Sequence, residues 1–122
     1  MPDAGLMSIR LGLAAVFITH GAMKLADVTA TMAMFESMSL PAWLGVAVGI
    51  VELLGGVAML LGVYTKYAGY ALAAVMVGAI LAVKWKMGFL GGWEFDFMLF
   101  AASLGMAWVG AGIYSVKLPE RK

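Results

Sequence analysis

The chain has 122 residues, 64% of them hydrophobic and only 12% charged, with a mean hydropathy of +0.99. A soluble domain carries about 25% charge, so this composition describes one membrane-embedded domain over residues 1–122 and excludes an ordinary soluble enzyme. A net charge of +1 offers nucleic acid no basic footprint. With no cysteine and one histidine, the chain excludes disulfides, thiol nucleophiles, iron–sulfur clusters of its own and a bis-histidine haem, and no metal-ligand set is expected.

A helix needs about 20 largely apolar residues to cross a bilayer. Four segments meet that requirement, at about 6–25, 42–63, 67–84 and 95–116. They predict an all-α membrane protein: a four-transmembrane-helix antiparallel bundle with a short interfacial helix between helices 1 and 2. The first span carries Arg10, His20 and Lys24. At about 100° per residue these fall on one stripe with Gly21, and a polar stripe on an apolar helix faces the bundle interior. No basic stretch precedes this span, and "THGAMK" interrupts it where a cleavage motif would sit, so it reads as a helix of the mature protein. The connection that follows, 26–42, intersperses Met32, Met34, Phe35 and Met38 with polar residues, which suits a surface helix. Pro41 is placed for the first turn of the second span.

The second span is uncharged except for Glu52. A charge at a helix centre costs roughly 3 kcal/mol to insert, so this carboxylate needs a partner or a task. Gly45, Gly49, Glu52 and Gly56 share one arc of the helix, which places Glu52 on the packed, small-residue face. Helix rise puts His20 above it and Arg10 below it. Arg10 is the expected ion-pair partner, because guanidinium holds a carboxylate through two bonds, and His20 is the titratable member of the cluster.

Only "YTKY" separates the second and third spans, which predicts a tight antiparallel hairpin. The third span ends at Lys84 and the fourth begins near Glu94. Together with Lys24 these make a polar rim able to contact a cofactor. Lys86 and Asp96 are expected to face headgroups and water, and Trp43, Trp85 and Trp93 to anchor an aromatic belt. Even-numbered crossing puts both termini on one side. Lys66, Lys117, Arg121 and Lys122 there, against Lys24, Lys84 and Lys86 opposite, favour a multi-pass cell-membrane protein with cytoplasmic termini.

Three stretches carry a family resemblance. "IRLGLAAVFITHGAMKL" presents Arg10, Gly12, His20, Gly21 and Lys24; "IVELLGGVAMLLGVYTK" presents Glu52, Gly55, Gly56, Gly62, Thr65 and Lys66; "GFLGGWEFDFMLFAASLGMAWVGAG" presents Gly88, Phe89, Glu94, Gly110 and Gly112. In this order the chain resembles the DoxX family of small four-helix membrane proteins, related to the small subunit of archaeal thiosulfate:quinone oxidoreductase. The resemblance implies an oxidoreductase or quinone-reducing subunit, or a membrane partner of redox proteins. Many members carry a histidine near the end of the third span where this chain has Lys84, which leaves the role of that position open.

With no electron carrier of its own, the chain needs a bound quinone or a partner holding the redox centre for any redox role. The expected function is a quinone-linked redox subunit in which Glu52, His20 and Arg10 handle quinone or protons and Lys24, Glu94 and Lys84 contact the cofactor. No covalent cofactor is expected. Partners are membrane lipids, other membrane or redox subunits and a second copy of the chain. Two alternatives stay open: a structural or assembly subunit whose polar cluster fixes helix register, and a small proton-coupled transporter.

Overall fold

The computed structural model describes residues 2–116. Helix α1 (Pro2–Ala26) starts with a proline and Asp3 in its first turn and ends with Lys24 in its last, both charges complementing the helix dipole. Asp27 then stops it and caps the next helix, its carboxylate accepting the Ala30 N–H at 3.0 Å. Helix α2 (Val28–Ser37) is short and leads through Pro41 into α3 (Ala42–Leu61). Helix α3 closes at Gly62 in the left-handed conformation, where the chain turns into α4 (Thr65–Ala79). Helix α4 does not end cleanly: it runs on as a wide π-turn, Ile80–Lys84, and a tight 3₁₀ turn, Trp85–Met87. The chain then kinks over Phe89–Trp93, where Leu90 and Gly91 leave helical geometry, and enters α5 (Glu94–Val109).

Among the described residues, three stretches are long and apolar enough to cross a membrane: Pro2–Ala26, Ala42–Leu61 and Thr65–Met87. The expected fourth span, 95–116, is cut short. Helix α5 has 16 residues, about 24 Å of rise, because Gly110 takes a φ of +95° and Gly112 a φ of +83°, which few other residues adopt. Residues 110–116 fold back over the ends of α1 and α3, with the Val116 N–H donating to the Leu61 carbonyl at 2.8 Å and the Ile113 N–H to Asp3 at 3.1 Å. The start of α1, the α3–α4 turn and the end of the described chain therefore share one end of the molecule. The tail residues Lys117, Arg121 and Lys122, used above to orient the termini, lie outside the described residues.

Helix α1 packs along α3, and α4 along α5, with α3 against α4 joining the two pairs. Close approach depends on missing side chains. A Cβ on Gly21 would lie 2.5 Å from the Leu53 backbone nitrogen, and one on Gly69 would lie 2.5 Å from the Ser103 carbonyl oxygen. Where lipid supplies no hydrophobic drive, such backbone contact is what holds helices together. Leu13, Phe17, Met59, Leu72, Met76, Leu99 and Met106 fill the space between the pairs. Gly45, Gly49, Glu52 and Gly56 are all buried, on the packed face of α3. At the α4–α5 tip Trp85 stacks on Trp93 at 5.6 Å, and Phe89 and Phe97 extend the aromatic group, while Trp43 stands exposed at the start of α3.

Candidate functional site

At the end opposite the described termini, the helices enclose a cavity of about 610 Å³. Its wall is mostly apolar, built from Leu44 and Val48 of α3, Val75 and Ala79 of α4, and Leu99 of α5, with Phe35 and Met38 closing it from α2 and the turn after it. Into this surface project His20, Lys24, Glu52, Lys84 and Asp96. A largely apolar pocket of several hundred Å³ with a few placed polar groups is the usual form of a small-molecule site.

Glu52 is 3% exposed, and its partner is Lys24: Nζ donates to Oε1 at 2.8 Å. Helix geometry explains why. The contact of Gly21 with Leu53, and of Gly49 with the Lys24 Cβ, sets Lys24 about one turn above Glu52. Side chains on a helix lean toward its N-terminus, so the Lys24 stem runs back down α1 to the level of the carboxylate. Helix α3 is antiparallel to α1, and by the same rule Glu52 leans up toward Lys24. Thr31 steadies this corner, its hydroxyl donating to the carbonyl oxygens of Lys24 at 2.7 Å and of Asp27 at 3.0 Å.

The same lean corrects the expected pairing of Glu52 with Arg10. Arg10 is 2% exposed and points toward the start of α1, away from the carboxylate. Its Nε donates to the Met59 carbonyl at 3.1 Å, seven residues and about 10 Å along α3 from Glu52. Its terminal nitrogens donate to the Ala111 carbonyl at 2.8 Å and the Tyr114 carbonyl at 2.7 and 2.8 Å. The guanidinium satisfies irregular backbone that lipid would leave unpaired. The expected cluster thus divides: His20 and Glu52 line the cavity, and Arg10 belongs to the other end.

The rim also sorts itself. Lys84, set by the π-turn at the end of α4, donates from Nζ to Asp96 Oδ1 at 3.0 Å. Asp96 is 4% exposed, contrary to the expectation that it faces headgroups. Glu94, expected at the cofactor, accepts the Gly91 N–H at 2.7 Å and ties the turn before α5; it is not among the residues lining the cavity. Lys86 and Trp85 are exposed. Among the described residues, no group of three or more His, Cys, Asp or Glu side chains is placed to hold a metal ion.

The site is an apolar chamber with two lysine–carboxylate pairs, one from α1 and α3 and one from the α4–α5 tip, and an imidazole beside the first. Such pairs donate hydrogen bonds, accept them, and exchange protons. Comparison with known proteins adds an assignment. A family model described as DoxX matches residues 5–85. The chain is also 32% identical over 109 residues to "Putative oxidoreductase CatD" of Bacillus subtilis (strain 168), a match that covers 89% of this chain and 81% of that one. No solved structure matches.

Proposed function

The chain belongs to the DoxX family, and from that premise we propose that it is the integral membrane subunit of a quinone-linked redox complex. The observation that carries this reading is the Lys24–Glu52 pair, buried at 2.8 Å on the wall of an apolar cavity of about 610 Å³. The name of the Bacillus relative as an oxidoreductase supports the class of chemistry. With no cysteine and a single histidine, the chain requires a partner subunit to supply the electrons.

The residues present suit a quinone headgroup. Apolar walls from Leu44, Val48, Val75 and Leu99 accept the ring, and the Lys24 ammonium donates to a ring oxygen. A bound quinone supplies two-electron, two-proton redox chemistry. Glu52 holds or releases a proton at its carboxylate, and His20 on the same wall passes protons between the cavity and its opening. The pairing with Lys24 keeps Glu52 from being an isolated buried charge, which would carry a large desolvation cost. In this reading α5 completes a four-helix antiparallel bundle, α2 lies along the membrane surface, and both termini face the cytoplasm. Arg10 takes no part in the chemistry and serves the fold.

The test is gentle detergent purification from the native membrane with mass spectrometry of what accompanies the chain. The expected result is quinone and a redox-centre protein with the wild type, and loss of the quinone with Glu52→Gln while the helix content and the partner are retained. A wild-type protein that carries its partner but never quinone would reduce it to an assembly subunit.

A further inference from the structure

The second charged pair of the cavity has the same construction as the first, although the two come from different parts of the chain. Lys24 and Glu52 sit on α1 and α3; Lys84 and Asp96 sit on the π-turn after α4 and the first turn of α5. Both lysines and both acids line the one cavity. The acids are buried to nearly the same degree, 3% exposed for Glu52 and 4% for Asp96. The π-turn is an unusual local choice: it adds a residue to the turn that carries Lys84, and such wide turns gather at functional sites.

Each pair uses only part of its bonding capacity. An ammonium has three donors and a carboxylate two acceptor oxygens. Among the described residues one hydrogen bond joins Lys24 to Glu52 Oε1 and one joins Lys84 to Asp96 Oδ1. Each lysine keeps two N–H groups, and each acid keeps its second oxygen, without a partner among those residues. Among the described residues the fully enclosed side-chain atoms lacking partners are instead the hydroxyls of Thr65 and Ser103, so the second oxygens of Glu52 and Asp96 are not fully enclosed. The Lys24 and Lys84 side chains are 20% and 36% exposed, so a ligand entering the cavity can reach their unused donors and complete them.

The chemistry of the completion follows from the pairing. The ammonium donates to a carbonyl oxygen; the carboxylate accepts from a hydroxyl. One lysine–carboxylate pair therefore serves a single ligand oxygen in both its carbonyl and its hydroxyl form. Two pairs around an apolar chamber suit two such oxygens on one apolar ring. We infer that Lys84 and Asp96 form the second anchor of the cavity, which takes a quinone and its quinol with one ring oxygen at each pair. The inference rests on the quinone reading above and extends it: Lys84 and Asp96 become binding residues equal in kind to Lys24 and Glu52.

The test compares two probes on the full chain in lipid nanodiscs: para-naphthoquinone, with two carbonyls, and alpha-tetralone, a bicyclic ketone with one. Affinity is read by calorimetry, with empty discs correcting for partition into lipid. The wild type is expected to bind the quinone roughly ten- to a hundredfold more tightly than the ketone, the worth of one hydrogen bond to a charged group. The double variant Lys84→Met with Asp96→Asn is expected to remove that advantage, so that the two probes bind it equally tightly. Equal wild-type affinities for the two probes overturn the second anchor, and this comparison needs no variant to fold. A quinone advantage that survives in the double variant overturns it too. In either case the quinone reading itself stands if Lys24→Met with Glu52→Gln abolishes binding of both probes. Absence of saturable binding by either probe to the wild type overturns both.

Discussion

The two ends of this molecule use buried charge in opposite ways. At the end that holds the described termini, Arg10 is 2% exposed, and its donors are spent on the carbonyl oxygens of Met59, Ala111 and Tyr114. At the other end, Glu52 and Asp96 are as deeply buried, yet each takes one hydrogen bond from a lysine and borders a chamber of about 610 Å³. Depth alone therefore does not mark function in a membrane protein. What distinguishes the ends is whether protein completes the charged group or leaves capacity open beside a space. The Arg10 end is read as structural and the lysine–carboxylate end as the site.

That contrast can be broken by substitution, beginning where the loss should be greatest. Arg10→Ala removes a buried guanidinium and strands the carbonyls it serves, so stability should fall by about 3–5 kcal/mol. The fall should appear in thermal unfolding in detergent, with quinone affinity of the remaining folded protein unchanged; an affinity lost in a protein of normal stability would move Arg10 into the site. Lys24→Met alone leaves Glu52 uncompensated and should cost about 2–4 kcal/mol. Adding Glu52→Gln should recover part of that stability while weakening quinone binding roughly ten- to a hundredfold, a separation of stability from binding that Arg10 variants cannot give.

Smaller effects sharpen the same contrast. Gly21→Ala places a Cβ 2.5 Å from the Leu53 nitrogen, whereas Gly12→Ala meets nothing within 4 Å. The first should lose about 1–3 kcal/mol and weaken quinone binding, because spreading α1 from α3 draws Lys24 away from Glu52; the second should be near neutral in both measurements. Last, Glu94→Gln should cost under about 1 kcal/mol, since its carboxylate only ties the Gly91 N–H in an exposed turn. A large drop in ligand affinity from that change would show that Glu94 reaches the cavity after all.

Much of this arrangement is legible before any coordinates. The burial of Glu52 follows from the cost of a charge among apolar residues and from the glycines that share its arc, and the course of the helices follows from apolar length. Its partner is harder to read. Depth along the two helices leaves Arg10 and His20 equally placed, and only the lean of side chains toward the helix N-terminus selects Lys24 and sends Arg10 to the opposite end. Asp96 is hidden for another reason: an acid at the start of a span looks like a headgroup-facing residue, and only a π-turn, which apolar periodicity does not reveal, brings Lys84 to it. The shortened α5 had a visible signal in Gly110 and Gly112, but an apolar run through Val116 outweighs it in any reading by hydropathy. The fold-back of 110–116 depends on Arg10, a contact more than a hundred residues away in sequence, which no local pattern encodes.

The most direct test is a titration of the wild-type chain in lipid nanodiscs with para-naphthoquinone, followed by quenching of its tryptophan fluorescence. Saturable quenching with one site per chain is expected, its midpoint raised at least tenfold in the folded variant Lys24→Met with Glu52→Gln and kept in a conservative Arg10→Lys variant. Quenching that rises linearly without saturation in the wild type, or that survives unchanged when Lys24 and Glu52 are both neutralised, would contradict the quinone reading.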